Sequence, residues 1–259
     1  MRALVLAAGL GERLKPLTEQ SPKPMLPLGG RPLIEYPLRM LGRAGLREVA
    51  VNIHHLGEQL RANLGGGERL GLKITYAPEP KLLGTGGPLV GLREYLGSDS
   101  FMLLNSDTVL DLDVAGLVRL HRLKGGLATL VVRRPENARL YSRLYTDRAL
   151  RIGRIEFATA CAAKEAGASA TAPGFDGERP RRAWMYCGVA VCEPEVLQLD
   201  FPAVPFRLIR DLLAPALAAG RPLFGYPYRG YFATADDLAG YQRLCREFAA
   251  QPPALSYLA

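Results

Sequence analysis

An α/β fold, with a mixed, mostly parallel sheet flanked by helices, is what the sequence predicts on three observations. Short apolar runs alternate with amphipathic stretches through the first half, a glycine-rich turn directly follows the first run, and past Pro135 the alternation gives way to strand-pair patterning. Apolar strands separated by helical stretches are covered on both faces, as parallel sheets are.

Taken in order, Arg2–Ala8 reads as a buried strand, Leu33–Leu41 as a helix, Val49–Ile53 as a strand, Glu58–Leu64 as a helix and Leu72–Tyr76 as a strand. Pro88–Tyr95 then reads as a helix, Phe101–Leu104 as a strand, Val114–Leu123 as a helix and Ala128–Val132 as a strand, which completes a Rossmann-like core. Leu140–Tyr145 and Leu150–Ile155 form a strand pair around Thr146 and Asp147, and Trp184–Val191 reads as a returning buried strand. Between them, Cys161–Arg182 is rich in Ala, Gly, Pro and charge without sustained periodicity and reads as a mobile loop. Phe206–Ala219, closed by Gly220, and Asp236–Ala249, with Asp236 as N-cap, read as helices.

A chain of 259 residues that is 48% hydrophobic is long and apolar enough for a sizeable core, which excludes a disordered tail. The run Leu4–Ala8 is cut by Gly9 and the charged residues after it, well short of the roughly 20 residues of a membrane helix. It also lacks a leader-peptide cleavage pattern, so a cytoplasmic protein is expected, with no membrane partner. Four cysteines without a C-x-x-C pair and three histidines offer no zinc spacing, so reduced structural thiols are expected. The net charge of +8 favours an anionic partner. Because the basic residues are scattered and no aromatic-basic ribbon is present, that partner is not read as nucleic acid.

Leu6–Thr18 reads LAAGLGERLKPLT, and Ser21–Tyr36 reads SPKPMLPLGGRPLIEY. Gly9 and Gly11, straight after a buried strand, let backbone amides approach a phosphate chain. A dinucleotide fingerprint requires a third glycine where Leu14 stands, and the P-loop ending Gly-Lys-Ser/Thr is missing. Arg13 and Lys23 add two cations beside the C-terminal end of the first strand, the edge at which open α/β sheets bind ligands. These two segments, matched in order and spacing, closely resemble the sugar-1-phosphate nucleotidyltransferases, whose signature runs L-A-A-G-x-G-x-R-L-x-P-L-T, then P-K-P-hydrophobic-L-P, then G-x-P-hydrophobic-I-E-Y. Leu83–Leu89 (LGTGGPL) is similar to the family's second glycine stretch, and Asn105-Ser106-Asp107 to its metal-holding strand end.

The resemblance implies a Rossmann-like, GT-A-like single domain over residues 1–249, divided into a nucleotide-binding half (1–134) and a sugar-phosphate half (135–249), with 250–259 as a tail and no C-terminal β-helix. It implies transfer of a nucleoside monophosphate from a nucleoside triphosphate to a sugar 1-phosphate with release of pyrophosphate, magnesium as cofactor, and room for a homo-oligomer. By resemblance Arg13 holds the pyrophosphate end, Lys23 bridges the α-phosphate and the incoming phosphate, and Asp107 positions the metal. Leu6, Ala8, Gly9, Gly11, Glu79, Gly84, Thr85 and Gly86 fall on the nucleotide. Glu79, three residues past Tyr76, reads either as a solvated loop residue or as a base-edge contact; as a contact it accepts from N1–H and N2–H of guanine, which favours GTP, with UTP or dTTP next.

Two departures concern the acceptor side. Phe157-Ala158 stands where the family carries a Glu-Lys pair, with Lys164, Arg181 and Arg182 as the candidate substitutes. Thr234 stands where a second metal-binding aspartate is expected, with Asp236 and Asp237 just beyond. The alternative function is a nucleotide or nucleotide-sugar binding protein with little catalysis. An NAD-dependent oxidoreductase is disfavoured by Leu14.

Overall fold

The apolar runs of the first half become strands at the expected positions. In the computed structural model, which describes residues 1–135, 141–158, 169–175 and 183–258, β1 (Ala3–Leu6) leads through the glycine turn to α1 (Leu17–Gln20) and a small hairpin of β2 (Pro27–Leu28) and β3 (Arg31–Pro32). There follow α2 (Glu35–Arg43), β4 (Glu48–Ile53), α3 (Gly57–Leu64), β5 (Lys73–Pro78), α4 (Pro88–Gly91), α5 (Arg93–Leu96), β6 (Phe101–Asn105) and β7 (Thr108–Leu110). The expected helix over Pro88–Tyr95 is thus two one-turn pieces, broken at Leu92. Met1–Leu83, Glu94–Val114 and Gly230–Ala259 make one compact unit, and Gly84–Arg93 with Ala115–Arg229 a second.

In the first unit β6, β1, β4 and β5 are adjacent and all parallel. Leu4, Val5, Val49, Val51 and Phe101–Leu103 have no exposed surface, as strands covered on both faces require. The ladders set Leu6 level with Asn105 on one side and Asn52 on the other, and Asn52 level with Ala77. One edge of the sheet therefore carries, just beyond that row, Ser106-Asp107, the turn starting at Ala7, His54, and Pro78-Glu79.

The second unit contains α6 (Val114–Lys124) from its second residue on, β8 (Ala128–Arg133), β9 (Arg143–Thr146), β10 (Ile152–Glu156), β11 (Ser169–Thr171), β12 (Ala183–Cys192), α7 (Ala214–Ala218) and β13 (Leu223–Pro227). β9 and β10 are the expected antiparallel pair, β12 lies antiparallel to β9 and β8, and β13 is parallel to β8. The expectation of one loop over 161–182 is corrected within its described part: Ser169–Thr171 is a strand, paired with β10. Cys161, Lys164, Arg181 and Arg182 lie outside the described residues. The helix expected over Phe206–Ala219 begins as a π-helical segment, Leu208–Leu213, and continues as α7 up to Gly220.

The chain then re-enters the first unit with β14 (Phe232–Thr234) and α8 (Leu238–Ala250). β14 pairs antiparallel with β7, and Thr234 is the ladder partner of Thr108. Past α8, Leu255 and Tyr257 are buried, and Ser256 donates from its hydroxyl (2.6 Å) and its amide (3.2 Å) to the Asp111 carboxylate. Cys187, Cys192 and Cys245 are free thiols, the first two buried and pushed up to about 12 by that burial. No helix among the described residues is long and apolar enough to cross a membrane.

One buried ion cluster makes the first unit sensitive to acid. Glu35, 3% exposed at the start of α2, pairs with Arg39 at 3.0 Å and with Arg69. Burial alone raises its pKa, but hydrogen bonds from Arg69 and Arg39 outweigh that and hold it below the ordinary value. A depressed carboxyl contributes stability that is complete above its unfolded pKa of about 4.3 and is lost as pH falls through the folded value. Glu35→Gln is therefore expected to lower stability by on the order of 2 kcal/mol at neutral pH. Denaturant melts from neutral pH down to the acid limb should show the difference from the parent shrinking below about pH 4.

Candidate active site

Because β1, β4, β5 and β6 end in register, the first glycine turn, Asp107 and Glu79 collect along one sheet edge of the first unit, while Gly84, Thr85 and Gly86 belong to the second. Leu6 closes β1, and Ala8 is buried at the start of the turn. Gly11 has φ +67°, and a Cβ there would lie 2.7 Å from Thr18 Cγ2 and 3.2 Å from Lys23 Cβ. Its glycine is required by the turn itself. Gly9 differs: among the described residues, none beyond its chain neighbours comes within 4 Å of where its Cβ would stand. Arg13 is exposed on the short helical turn Glu12–Leu14, with no ion pair or hydrogen bond to any described residue.

Lys23 sits in the turn Lys23–Met25 between Pro22 and Pro24, both buried. Its ammonium forms an ion pair with Asp107 Oδ2, with side chains only 17% and 11% exposed. Thr234 Oγ1 lies 3.2 Å from the same Oδ2 and 3.3 Å from Asp236 Oδ1, so its single hydroxyl hydrogen can be donated to either carboxylate in turn. The ladder between β7 and β14 brings these groups together. The expected N-cap at Asp236 is corrected: Asp237 caps α8, accepting from Gly240 N–H at 2.7 Å, and Asp236 turns to Thr234 instead. Two carboxylates and a hydroxyl are hard oxygen donors of the kind magnesium takes, with water and triphosphate completing its shell. The residues fit that ion, although no three His, Cys, Asp or Glu cluster among the described residues.

Glu79 is 6% exposed at the end of β5 and is held from inside. Oε1 accepts from Asn52 Nδ2 at 2.7 Å and Oε2 from Leu83 N–H at 3.0 Å. Beside it lies a cavity of about 380 Å3 whose lining includes Ile53, His54, Leu56, Gln59 and Pro78.

In the second unit, Gly84, Thr85 and Gly86 pack on the segment around Phe206. A Cβ on Gly84 would lie 2.3 Å from Phe206 O, and one on Gly86 2.3 Å from the Phe206 ring. Phe206 O accepts from Gly86 N–H at 3.0 Å, and Thr85 Oγ1 accepts from Leu208 N–H at 3.0 Å. Both glycines therefore have a packing reason that lies more than a hundred residues away in the chain, which no local spacing signals. Phe157, the first residue of the pair that stands where Glu-Lys was expected, lies under the Arg210 guanidinium, whose carbon is 5.4 Å from the phenyl centroid. Sequence reasoning missed this cation because Arg210 sits in the π-helical segment, far from β10 in sequence.

A family model described as nucleotidyl transferase matches residues 2–156. The chain belongs to that family. Among curated members, the UTP–glucose-1-phosphate uridylyltransferase of Synechocystis is 30% identical over 237 residues, 86% of this chain and 57% of that protein. The N-acetylmuramate alpha-1-phosphate uridylyltransferase of Neisseria meningitidis is 42% identical over 114 residues, 44% of this chain and 49% of its own. The chain thus spans about half the length of these nucleotidyltransferases. A solved Bacillus anthracis structure, provisionally named a glucose-1-phosphate thymidylyltransferase and in complex with a sucrose, superposes with TM-score 0.79 at 18% identity. That match covers 100% of this chain and 99% of the other. It places the nucleotidyltransferase chain in the same Rossmann-like fold, with a mixed sheet flanked by helices.

Proposed function

We propose that this nucleotidyltransferase moves a nucleoside monophosphate from a nucleoside triphosphate onto a sugar 1-phosphate, releasing pyrophosphate. The observation that carries the reading is the row formed by the glycine turn, Lys23, Asp107 and Thr234 at the carboxyl edge of one parallel sheet. Two anions must meet, so the task is alignment and charge neutralisation, and no protein nucleophile is needed. Open space at Gly9 suits a phosphate chain against the backbone. Arg13 takes the pyrophosphate end, and Lys23 lies between the α-phosphate and the attacking phosphate oxygen. Asp107, with Thr234 and Asp236 adjacent, would hold magnesium, which when bound would supply charge neutralisation on the triphosphate.

For the base, each Glu79 oxygen already accepts one internal bond and can accept another. A guanine edge uses both oxygens, whereas the single N3–H of uracil or thymine uses one, so GTP ranks first and UTP and dTTP next. A matrix of nucleoside triphosphates against sugar 1-phosphates with magnesium, reading pyrophosphate, tests both class and base; EDTA should stop the release. Tight triphosphate binding without turnover in every well would favour the second reading, a binding protein of the same fold. That reading draws on Phe157-Ala158 standing at the acceptor position.

Arg13→Ala should lower kcat/KM by roughly a hundredfold, the scale for one lost charge contact to a developing anion. Its melting temperature should stay within a degree or so of the parent's, since an exposed arginine without a partner among the described residues has little folded-state interaction to lose. A large drop in melting temperature with activity preserved would contradict this assignment.

A further inference from the structure

We infer that Asn52 is a positioning residue that locks the first glycine turn to Glu79, so that the phosphate-side backbone and the base-side carboxylate are set by one buried side chain. What the two ends bind rests on the proposed nucleotidyl transfer; the relay between them rests on geometry. Asn52 is 2% exposed near the end of β4, in the otherwise apolar row Val49-Ala50-Val51-Asn52-Ile53. An aliphatic residue suits such a position, while a carboxamide is tolerated only with its bonds made.

Both ends of that carboxamide are engaged. Oδ1 accepts from Ala7 N–H at 2.7 Å, and Nδ2 donates to Glu79 Oε1 at 2.7 Å. A backbone amide only donates and an ionised carboxylate only accepts, so the neighbours fix which way the amide faces. Glu79 is otherwise held within its own neighbourhood: Oε2 accepts from Leu83 N–H, its amide donates to Ile53 O at 2.8 Å, and its carbonyl meets His54 Nδ1 at 2.7 Å. Of these bonds, the one from Asn52 alone continues to the glycine turn. Ala7 N–H is the last backbone donor before Ala8 and Gly9, and its capture by Asn52 fixes the direction in which the chain leaves β1. Losing the relay loosens the turn and frees one Glu79 oxygen together, which weakens the triphosphate and leaves the sugar 1-phosphate side alone.

The test uses four variants of the full chain. Asn52→Leu removes both bonds. Asn52→Asp keeps the Ala7 bond but sets a carboxylate against Glu79. Glu79→Gln is the reference for the double variant Asn52→Asp/Glu79→Gln. There the carboxamide introduced at position 79 donates through its nitrogen to the carboxylate introduced at position 52 and accepts from Leu83 N–H through its oxygen, so the relay is rebuilt with its polarity reversed. Triphosphate Kd by calorimetry with magnesium, KM for each substrate, and melting temperature are read. Asn52→Leu should raise triphosphate Kd and KM by about tenfold with sugar 1-phosphate KM within about twofold. Asn52→Asp should be at least as damaging, and the double variant should return to within about threefold of Glu79→Gln.

An unchanged triphosphate Kd in Asn52→Leu, or a double variant no better than Asn52→Asp, overturns the relay. Equal losses for both substrates, tracking melting temperature, reduce Asn52 to a structural residue and also overturn it. A parent protein that binds triphosphate without turnover overturns the transfer reading alone, because Kd still reads the relay. One that binds no triphosphate overturns both.

Discussion

Asp107→Asn should cut pyrophosphate release by about a thousandfold, at any magnesium concentration, as expected for losing a pre-organised charge at the reacting centre. The side chain keeps its shape, and the asparagine can still bond Thr234 Oγ1, which lies 3.2 Å from the present Oδ2. Lys23 loses its partner but is 17% exposed and can turn toward water. The fold should survive, and a circular-dichroism melt checks it. Neighbouring acids give a graded comparison. Asp236 lies beside Asp107 with the Thr234 hydroxyl within reach of both, so Asp236→Asn should raise the magnesium requirement about tenfold, the scale of an outer partner of a metal ligand. Asp237→Asn keeps an Oδ1 acceptor for the Gly240 N–H at the helix cap and should change stability by less than about 1 kcal/mol with activity intact. Recovery of Asp107→Asn at high magnesium would show that Asp107 is not the main ligand. Equal damage from Asp236→Asn would make the site a two-carboxylate one.

The sequence made the sheet legible because strands buried on both faces leave unbroken apolar runs, as Phe101–Leu104 does. Glycine and proline punctuation made the two turns legible. What it concealed depends on partners distant in the chain. β7 and β14 have three residues each, too few for a periodic signal, and pair across more than a hundred positions. Yet that ladder is what sets Thr234 and Asp236 beside Asp107. β13, five residues with a central Gly225 and a closing Pro227, was hidden by its own turn-like residues. Asp236 and Asp237 differ by one position, and local pattern does not say which one caps α8. Glu79 and Asn52 were visible as residues, but the occupancy of their lone pairs is a property of three strands at once.

Lys23→Ala should lower kcat/KM by roughly a hundredfold or more, since a pre-positioned ammonium is removed from between two phosphates. The positioning is visible in the backbone: Pro22 and Pro24 fix φ on either side, Met25 N–H bonds Pro22 O at 2.8 Å, and Pro24 O accepts from Ile34 N–H at 2.9 Å. Unlike Arg13, this residue also has a structural duty, because its departure leaves the Asp107 carboxylate, 11% exposed, with Thr234 as its remaining described bond. Removing one member of a largely buried pair destabilises more than the pair is worth, so the single variant should melt lower. Loss of activity alone therefore does not identify the chemistry. The double variant Lys23→Ala/Asp107→Asn separates the two effects: with no charge left unpaired, its melting temperature should return toward the parent's, while pyrophosphate release stays at or below that of either single variant. Activity that recovers along with stability would assign Lys23 to the fold and remove it from the site. A Lys23→Arg variant sharpens the contrast, since it keeps the charge and the Asp107 pair but moves the donor outward, so stability should hold while kcat falls.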